Sequence, residues 1–301
     1  MSSVLIVGSV ALDSVETPYG KKCDMLGGSA TYSSLAASHF APVRLVAVVG
    51  DDFPDECRQL LESRKINLSG LQVVKGSTFR WSGEYHAGKM GDAITLDTQL
   101  NVFQNFNPVI PPEYQDSEWV FLGNIDPVLQ LNVLSQVSKP KLIALDTMNF
   151  WIENPDNQLS EVLKKIDLLI INEGELKLLT GKTDLRKGVE TVMGMGPKIL
   201  VVKLGKYGAV LFYDKTWFFV PAHPQSDCID PTGAGDSFAG GLMGSLARDG
   251  KVTAETLRRA MVFGSVVASF NINDFGPWKL ASLTLEQIMD HYKDFKDIVA
   301  F

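Results

Sequence analysis

The chain has 301 residues, of which 45% are hydrophobic and 21% are charged, and its formal net charge is −7. This composition is typical of a folded protein with a large core and excludes a disordered chain. The acidic balance argues against non-specific nucleic-acid binding, which needs a basic surface, although backbone amides or a metal ion could still attract a small anion. Length alone leaves one or two domains open.

The cysteine content indicates the compartment. Cys23, Cys57 and Cys228 are widely spaced and form no CxxC pair. Their odd number and spacing argue against a disulfide framework or a structural zinc site and favour a reducing cytoplasm. The apolar run at residues 4–7 follows no basic segment, and no stretch of about 18 apolar residues occurs. The sequence therefore predicts a cytoplasmic protein with no membrane partner.

Strand-like and helix-like segments alternate along most of the chain. Continuous apolar runs, such as residues 4–8, suit strands that are covered on both faces. In chain order, strands are predicted at residues 4–8, 43–49, 119–122, 142–145 and 168–171, and helices at 27–40, 53–64, 128–137 and 173–179. This alternation predicts one α/β domain over residues 1–301, with a mostly parallel central sheet between helices.

Three regions depart from this alternation. Residues 14–26 are polar and strand-like, and residues 77–106 carry aromatic residues between glycines. These two segments predict a small β-sheet that projects from the main body as a lid. After residue 198 the sequence predicts strands at 199–203, 208–213 and 217–220, followed by helices at 234–248, 254–270 and 285–298.

The most informative stretch is DPTGAGDSF at residues 230–238. Its small residues predict a tight turn that opens a helix, where the amides of Gly233, Ala234 and Gly235 have no helical partner and can bind an anion. Asp236 follows in the first helical turn, where a carboxylate can take the proton of an attacking alcohol during phosphoryl transfer. A glycine turn with a helix-capping aspartate is also common for stability alone. Neither the dinucleotide pattern GxGxxG nor the P-loop GxxxxGK[ST] occurs.

The stretch resembles the C-terminal signature of the PfkB/ribokinase family of sugar and nucleoside kinases. Other segments resemble that family in the same order: Gly27-Gly28 before a helix, the NxxE motif at residues 172–175, and the nucleotide-covering strand-loop-strand around residues 201–209. The resemblance covers about the whole chain. It implies a ribokinase-like three-layer sandwich with a β lid, and transfer of the ATP γ-phosphoryl group to a sugar hydroxyl, with Asp236 as the base and residues 233–235 as the anion hole.

The resemblance also assigns roles to individual residues. The residues expected at the acceptor are Asp13, Gly27, Gly28 and Tyr32. The residues expected at ATP are Asn172, Lys203, Gly205, Gly208, Phe263 and Asn271. The residues expected at metal ions are Glu175, which would order the water shell of Mg²⁺, and Asp230 and Thr232, near which related kinases hold a monovalent cation such as K⁺.

The chain departs from its relatives where the acceptor would bind. Tyr32 stands where ribokinase-like members carry Asn, and residues 146–151 lack the Arg of the fructokinase DPNxR segment. The lid aromatics Phe79, Trp81 and Tyr85 could stack on a nucleobase or a sugar ring, form a homodimer contact through the lid, or pack within the lid. A sugar kinase is the first expectation. The alternatives are a nucleoside kinase of the adenosine type and a nucleotide- or nucleoside-binding sensor without turnover.

Overall fold

The computed structural model describes residues 2–91, 93–154, 158–224 and 227–300. The strands are β1 Val4–Val7, β2 Ala11–Thr17, β3 Gly20–Gly27, β4 Val43–Gly50, β5 Ile66–Val74, β6 Arg80–Glu84, β7 Ile94–Gln99, β8 Trp119–Leu122, β9 Leu142–Asp146, β10 Leu168–Asn172, β11 Ile199–Lys203, β12 Ala209–Tyr213 and β13 Thr216–Val220. The helices are α1 Ser29–Ser38, α2 Asp55–Ser63, α3 Pro127–Gln136, α4 Asn149–Glu153, α5 Leu159–Leu163, α6 Glu173–Thr180, α7 Leu185–Met193, α8 Ala234–Asp249, α9 Ala254–Asn271, α10 Trp278–Ser282 and α11 Leu285–Ile298.

In the described part of the chain, nine strands form the central sheet in the order β13-β12-β11-β10-β9-β8-β1-β4-β5. Neighbouring strands from β11 to β5 in this order are parallel to each other. At one edge of the sheet, β12 pairs antiparallel with both β11 and β13. Along β1, Val4 and Ile6 lie in one apolar core, whereas Leu5 and Val7 lie in the other. Because both faces of the sheet are covered, its inner strands are continuous apolar runs.

Helices cover the two faces and complete three layers. Helices α1, α2, α8, α9, α10 and α11 contribute to the core on one face, and α3, α5, α6 and α7 to the core on the other. The three-layer α/β prediction is confirmed. Within the described ranges, no helix combines the length and the apolar character needed to cross a membrane.

The strand order reverses at β1, where an open α/β sheet has a crevice beyond the carboxyl ends of its strands. Strands β4 and β5 extend the sheet on one side of β1, whereas β8, β9, β10 and β11 extend it on the other. Ligands of open α/β sheets bind at such a reversal, beyond the carboxyl ends of the strands. The last residues of β9, β10 and β11 are Asp146, Asn172 and Lys203. These three polar residues therefore lie at the carboxyl end of the sheet.

The small sheet has the strand order β3-β2-β6-β7 and forms the predicted lid. In β2, Asp13 and Val15 are buried and Glu16 is exposed, so one face of the lid is turned to the protein. This inner face packs on the main body, since Val15 belongs to a cluster with Phe275. The last lid strand ends at Gln99, whereas residues 101–105 form a 3₁₀ turn whose Phe103 packs against the main core. The four strands of the small sheet thus end before residue 106, the expected end of the lid.

Candidate active site

The turn that precedes α8 has the geometry of an anion site. Gly233 has φ +73°, a left-handed conformation that favours glycine, and a Cβ added there would overlap the ring of Tyr32. The amide of Ser237 makes the first helical bond, to the Gly233 carbonyl at 2.8 Å. The amides of Gly235 and Asp236 precede it, so they have no helical acceptor, and the helix dipole favours an anion beside them.

One predicted member of the anion hole is used differently. The amide of Ala234 donates to the Pro231 carbonyl at 3.1 Å, so it closes the turn instead of pointing to a ligand. Tyr32, expected at the acceptor, is only 2% exposed and its ring packs on Gly233. The Tyr32 ring therefore lies directly beneath the turn, and it leaves no space for a side chain at position 233.

Asp236 lies in a cluster of charged groups centred on Lys203. The Lys203 Nζ is 3.4 Å from Asp146 Oδ1, and a Cβ added at Gly235 would lie 3.1 Å from it. Burial raises the pKa of Asp236 to about 7, and the Asp146 carboxylate adds to this effect while Lys203 opposes it. Burial alone would lower the pKa of Lys203, but the surrounding carboxylates outweigh burial and raise it. The Lys203 ammonium and a carboxyl group with a pKa of about 7, that of Asp236, thus lie together at the anion turn.

The NxxE motif forms a capping box at the start of α6. The Asn172 amide donates to Glu175 Oε2 at 2.7 Å, and the Glu175 amide donates to Asn172 Oδ1 at 2.8 Å. Burial raises the pKa of Glu175 to about 7, with Lys203 opposing and Asp146 adding to the effect. A divalent cation bound there would favour the ionised form of Glu175.

Glu175 and Asp146 fit a magnesium ion that keeps most of its waters. The described residues hold no group of three or more His, Cys, Asp or Glu side chains that could enclose a metal. Magnesium usually binds one or two carboxylates together with water and substrate phosphates, so two buried carboxylates beside an anion turn suffice.

Asp13 lies on the opposite side of the crevice, on the inner face of the lid strand β2. Its carboxylate rests on Gly27, where an added Cβ would overlap it, and the Gly28 amide donates to Asp13 Oδ2 at 3.3 Å. Burial raises the pKa of Asp13 to about 7; the Gly28 bond opposes this effect, and the charges of Asp230 and Asp236 add to it. The di-glycine thus positions the carboxylate as well as the start of α1.

Hydrogen bonds join the anion turn to the lid. Thr232 Oγ1 donates to the Tyr85 hydroxyl of the lid at 3.2 Å. The two carboxylate oxygens of Asp230 accept from the amides of Thr232 at 2.9 Å and Gly276 at 3.2 Å. Asn271, 1% exposed, donates through Nδ2 to the Thr232 carbonyl at 2.8 Å. Asn271 therefore supports the turn from behind, and a direct contact with ATP is not supported by its placement.

Phe263 is not part of the site. Its side chain is 1% exposed, its ring stacks on Tyr292 at 4.5 Å, and the Arg248 guanidinium lies 4.8 Å from its centroid. The expectation that it contacts ATP is corrected, because protein surrounds the ring. Gly205 and Gly208 both have positive φ in the turn after β11, and Gly208 packs against the chain that follows β13. Gly208 thus serves loop packing, whereas the space at Gly205 is open.

The sequence interpretation missed Asp146 and the Tyr85–Thr232 bond. Asp146 had a usable signal, since it ends a buried apolar strand and the carboxyl ends of parallel strands share one edge. The bond between Tyr85 and Thr232 joins residues 147 positions apart. No local pattern predicts such a pair.

A family match assigns the chain to a class of phosphotransferases for small molecules. The chain belongs to the pfkB family of carbohydrate kinases, because the family described as "pfkB family carbohydrate kinase" matches residues 1–278. Members of this class act on hydroxyl groups of sugars or nucleosides.

One relative is similar in sequence, and two solved structures are similar in fold. The chain is 30% identical over 287 residues to a cytidine kinase of Thermococcus kodakarensis. The aligned region covers 93% of this chain and 99% of the relative. The fold is similar to that of a nucleoside kinase of Methanocaldococcus jannaschii, with a TM-score of 0.78, 19% identity, and coverage of 98% of this chain and 99% of the other. It is also similar to an Arabidopsis thaliana ribokinase solved with ribose and ATP, with a TM-score of 0.79, 20% identity, and coverage of 97% and 99%.

Proposed function

We propose that the protein transfers the γ-phosphoryl group of ATP to a hydroxyl of a nucleoside. The observation that carries the proposal is the half-buried Asp236 at the start of α8, with a pKa of about 7 and with Lys203 and the amides of Gly235 and Asp236 beside it. The nucleoside is favoured because a relative with 30% identity over nearly the whole chain is named a cytidine kinase. The missing Arg in residues 146–151 also argues against a sugar phosphate as acceptor.

In this reaction the acceptor oxygen attacks the γ-phosphorus and ADP leaves with the bridging oxygen. Asp236 takes the proton that the acceptor hydroxyl loses. The amides of Gly235 and Asp236, together with the Lys203 ammonium, lie where negative charge develops on the transferring group. Asp13 accepts hydrogen bonds from other hydroxyls of the acceptor and fixes its orientation.

ATP and its metal would lie on the side of the crevice formed by β9, β10 and β11. Asn172 and Lys203 would face the phosphates, and Glu175 with Asp146 would bind the water shell of Mg²⁺. When bound, magnesium neutralises phosphate charge. A K⁺ ion near Asp230 and Thr232 remains part of the proposal. In the described residues, the neighbouring Asn271 Oδ1 is buried and accepts no hydrogen bond, which leaves an oxygen ligand for a cation.

The test is ADP release from purified wild-type protein and Asp236→Asn, with Mg²⁺ and K⁺ present and cytidine, adenosine, inosine, ribose and fructose as acceptors. We expect turnover of at least one nucleoside, and a loss of about 10²–10⁴-fold in kcat for the variant, because the general base is removed. The matched control is Asp290→Asn on the surface of α11, which should keep wild-type activity. Equal activity of wild type and Asp236→Asn would refute the assignment.

A free sugar is the second candidate acceptor, because Asp13 recognises hydroxyls that ribose and a nucleoside share. Phosphorylation of ribose or fructose with no turnover of nucleosides would favour it. A sensor without turnover would instead bind an acceptor without releasing ADP, and calorimetric titration distinguishes that outcome from the absence of binding.

A further inference from the structure

The inner face of the lid places an aromatic ring beside Asp13. Strands β2 and β6 are parallel, and their register pairs Asp13 with Trp81 and Val15 with Gly83. Register partners in a sheet point to the same face. Trp81 therefore neighbours Asp13 on the lid face that covers the crevice.

The Trp81 indole is held in one orientation. A Cβ added at Gly83 would overlap the six-membered ring of Trp81, so the indole lies along the strand over bare backbone. Its Nε1 donates to Thr95 Oγ1 at 3.2 Å, and it packs against the cluster that contains Val15. Trp81 is only partly buried by these contacts. It is thus fixed in place, yet part of its surface is available to a ligand.

The other two lid aromatics are engaged elsewhere. Phe79 stacks on Phe103 with ring centroids 5.3 Å apart, at the base of the lid. Tyr85 is 9% exposed and binds Thr232 through its hydroxyl. Of these three rings, Trp81 is the one that lies beside Asp13 with free surface.

We propose that the Trp81 indole stacks on the base of the nucleoside whose ribose hydroxyls bind Asp13. The inference rests on the proposed function and names a residue that selects nucleosides over free sugars. Planar bases stack on aromatic rings regardless of their hydrogen-bonding pattern, whereas a free sugar lacks a base. Trp81 is the register partner of Asp13, and the charge of Asp236 acts on Asp13, so one nucleoside would contact all three residues.

The test compares cytidine with ribose in wild type and Trp81→Leu. We expect the variant to raise the KM and the calorimetric Kd for cytidine about tenfold, the change that about 1.4 kcal/mol of lost stacking produces. The values for ribose should change less than about twofold, because ribose makes no stacking contact. Trp81→Phe keeps an aromatic ring and should recover most of the cytidine affinity. Trp217→Phe, at the far edge of the central sheet, is the matched control and should alter neither ligand.

Two further variants keep the test valid if Trp81→Leu does not fold. Gly83→Ala would displace the ring and Thr95→Val would release its Nε1, so both should weaken cytidine more than ribose. Equal weakening of both ligands, or no change for cytidine, would overturn the proposal even if the enzyme turns over nucleosides. Cytidine binding that depends on Trp81 without ADP release would instead uphold the stacking contact and refute the kinase assignment.

Discussion

Two carboxyl groups of the site must each lose a proton before the proposed reaction can occur. Burial raises the pKa of both Asp13 and Asp236 to about 7, far above the range of an exposed aspartate. A protonated Asp236 cannot take a proton from the acceptor, and a protonated Asp13 loses much of its strength as a hydrogen-bond acceptor. The charge of Asp236 adds to the raised pKa of Asp13, so the ionisation of Asp236 disfavours that of Asp13.

This pair predicts a steep loss of activity in acid. Both pKa values are raised, so the protonated forms accumulate as the pH falls through about 7. A plot of log kcat/KM for the acceptor against pH should rise with a slope approaching about 2 below that pH and level off above it. The measurement is initial rates over about pH 5.5 to 8.5 with ATP and Mg²⁺ in excess, so that Glu175 stays ionised.

Asp13→Asn isolates the contribution of one carboxyl group. The variant should have a lower kcat/KM at every pH, and its acid limb should have a slope of about 1, because only Asp236 still titrates. A slope that is unchanged in Asp13→Asn would show that Asp13 does not control acceptor binding through its charge.

At the scale of secondary-structure elements, glycines on α8 let this helix approach α1 closely. A Cβ added at Gly240 would overlap the backbone of Ser33 in α1, and one added at Gly244 would lie 2.7 Å from the Ala37 carbonyl oxygen. The tight contact aligns the start of α8, with its anion turn, next to the start of α1, with its di-glycine. The glycines, which would weaken an isolated helix, are therefore explained by packing.

Alanine substitutions on α8 should separate close packing from helix propensity. Gly240→Ala should destabilise the protein by about 1–3 kcal/mol, because backbone atoms of α1 cannot move aside. Gly241→Ala is the matched control: its Cβ would meet Gly264 Cα at 3.2 Å, and the gain in helix propensity offsets that strain. Urea unfolding measures both free energies, and equal values for the two variants would contradict the helix contact.

The order and type of the main elements could be predicted from the sequence because burial dictates their pattern. A strand covered on both faces is mostly apolar. Strands β1 and β8 are apolar throughout, and β4, β9 and β10 are apolar apart from Arg44, Asp146 and Asn172. Asp236 could be predicted because the turn chemistry is local. Phe263 was misplaced because a helix position next to a motif does not reveal which side of the helix faces the ligand, and its ring faces the core. Asp146 was missed because strand order, which brings it to Lys203, is a tertiary property.

At the scale of the whole molecule, the lid has an unprotected sheet edge at β7. All six residues of β7 are exposed, including Ile94 at 47% and Leu96 at 53%. The opposite lid edge, β3, carries Lys21 and Lys22, charges that commonly prevent edge-to-edge association. An exposed edge strand with apolar side chains and few charges favours pairing with another strand. The lid edge at β7 is thus the surface on which the sequence-based expectation of a homodimer can be placed.

We expect wild-type protein to form a homodimer through β7, with twice the 33.0 kDa mass of one chain. Leu96→Arg should shift the mass measured by light scattering to that of the monomer, because a charge on each copy would be buried against the other. Phe219→Ser is the control: it removes a 60% exposed aromatic at the far edge of the central sheet and should leave the dimer intact. If Phe219→Ser dissociates the protein and Leu96→Arg does not, association occurs through the central sheet, and the lid of each copy closes over its crevice independently.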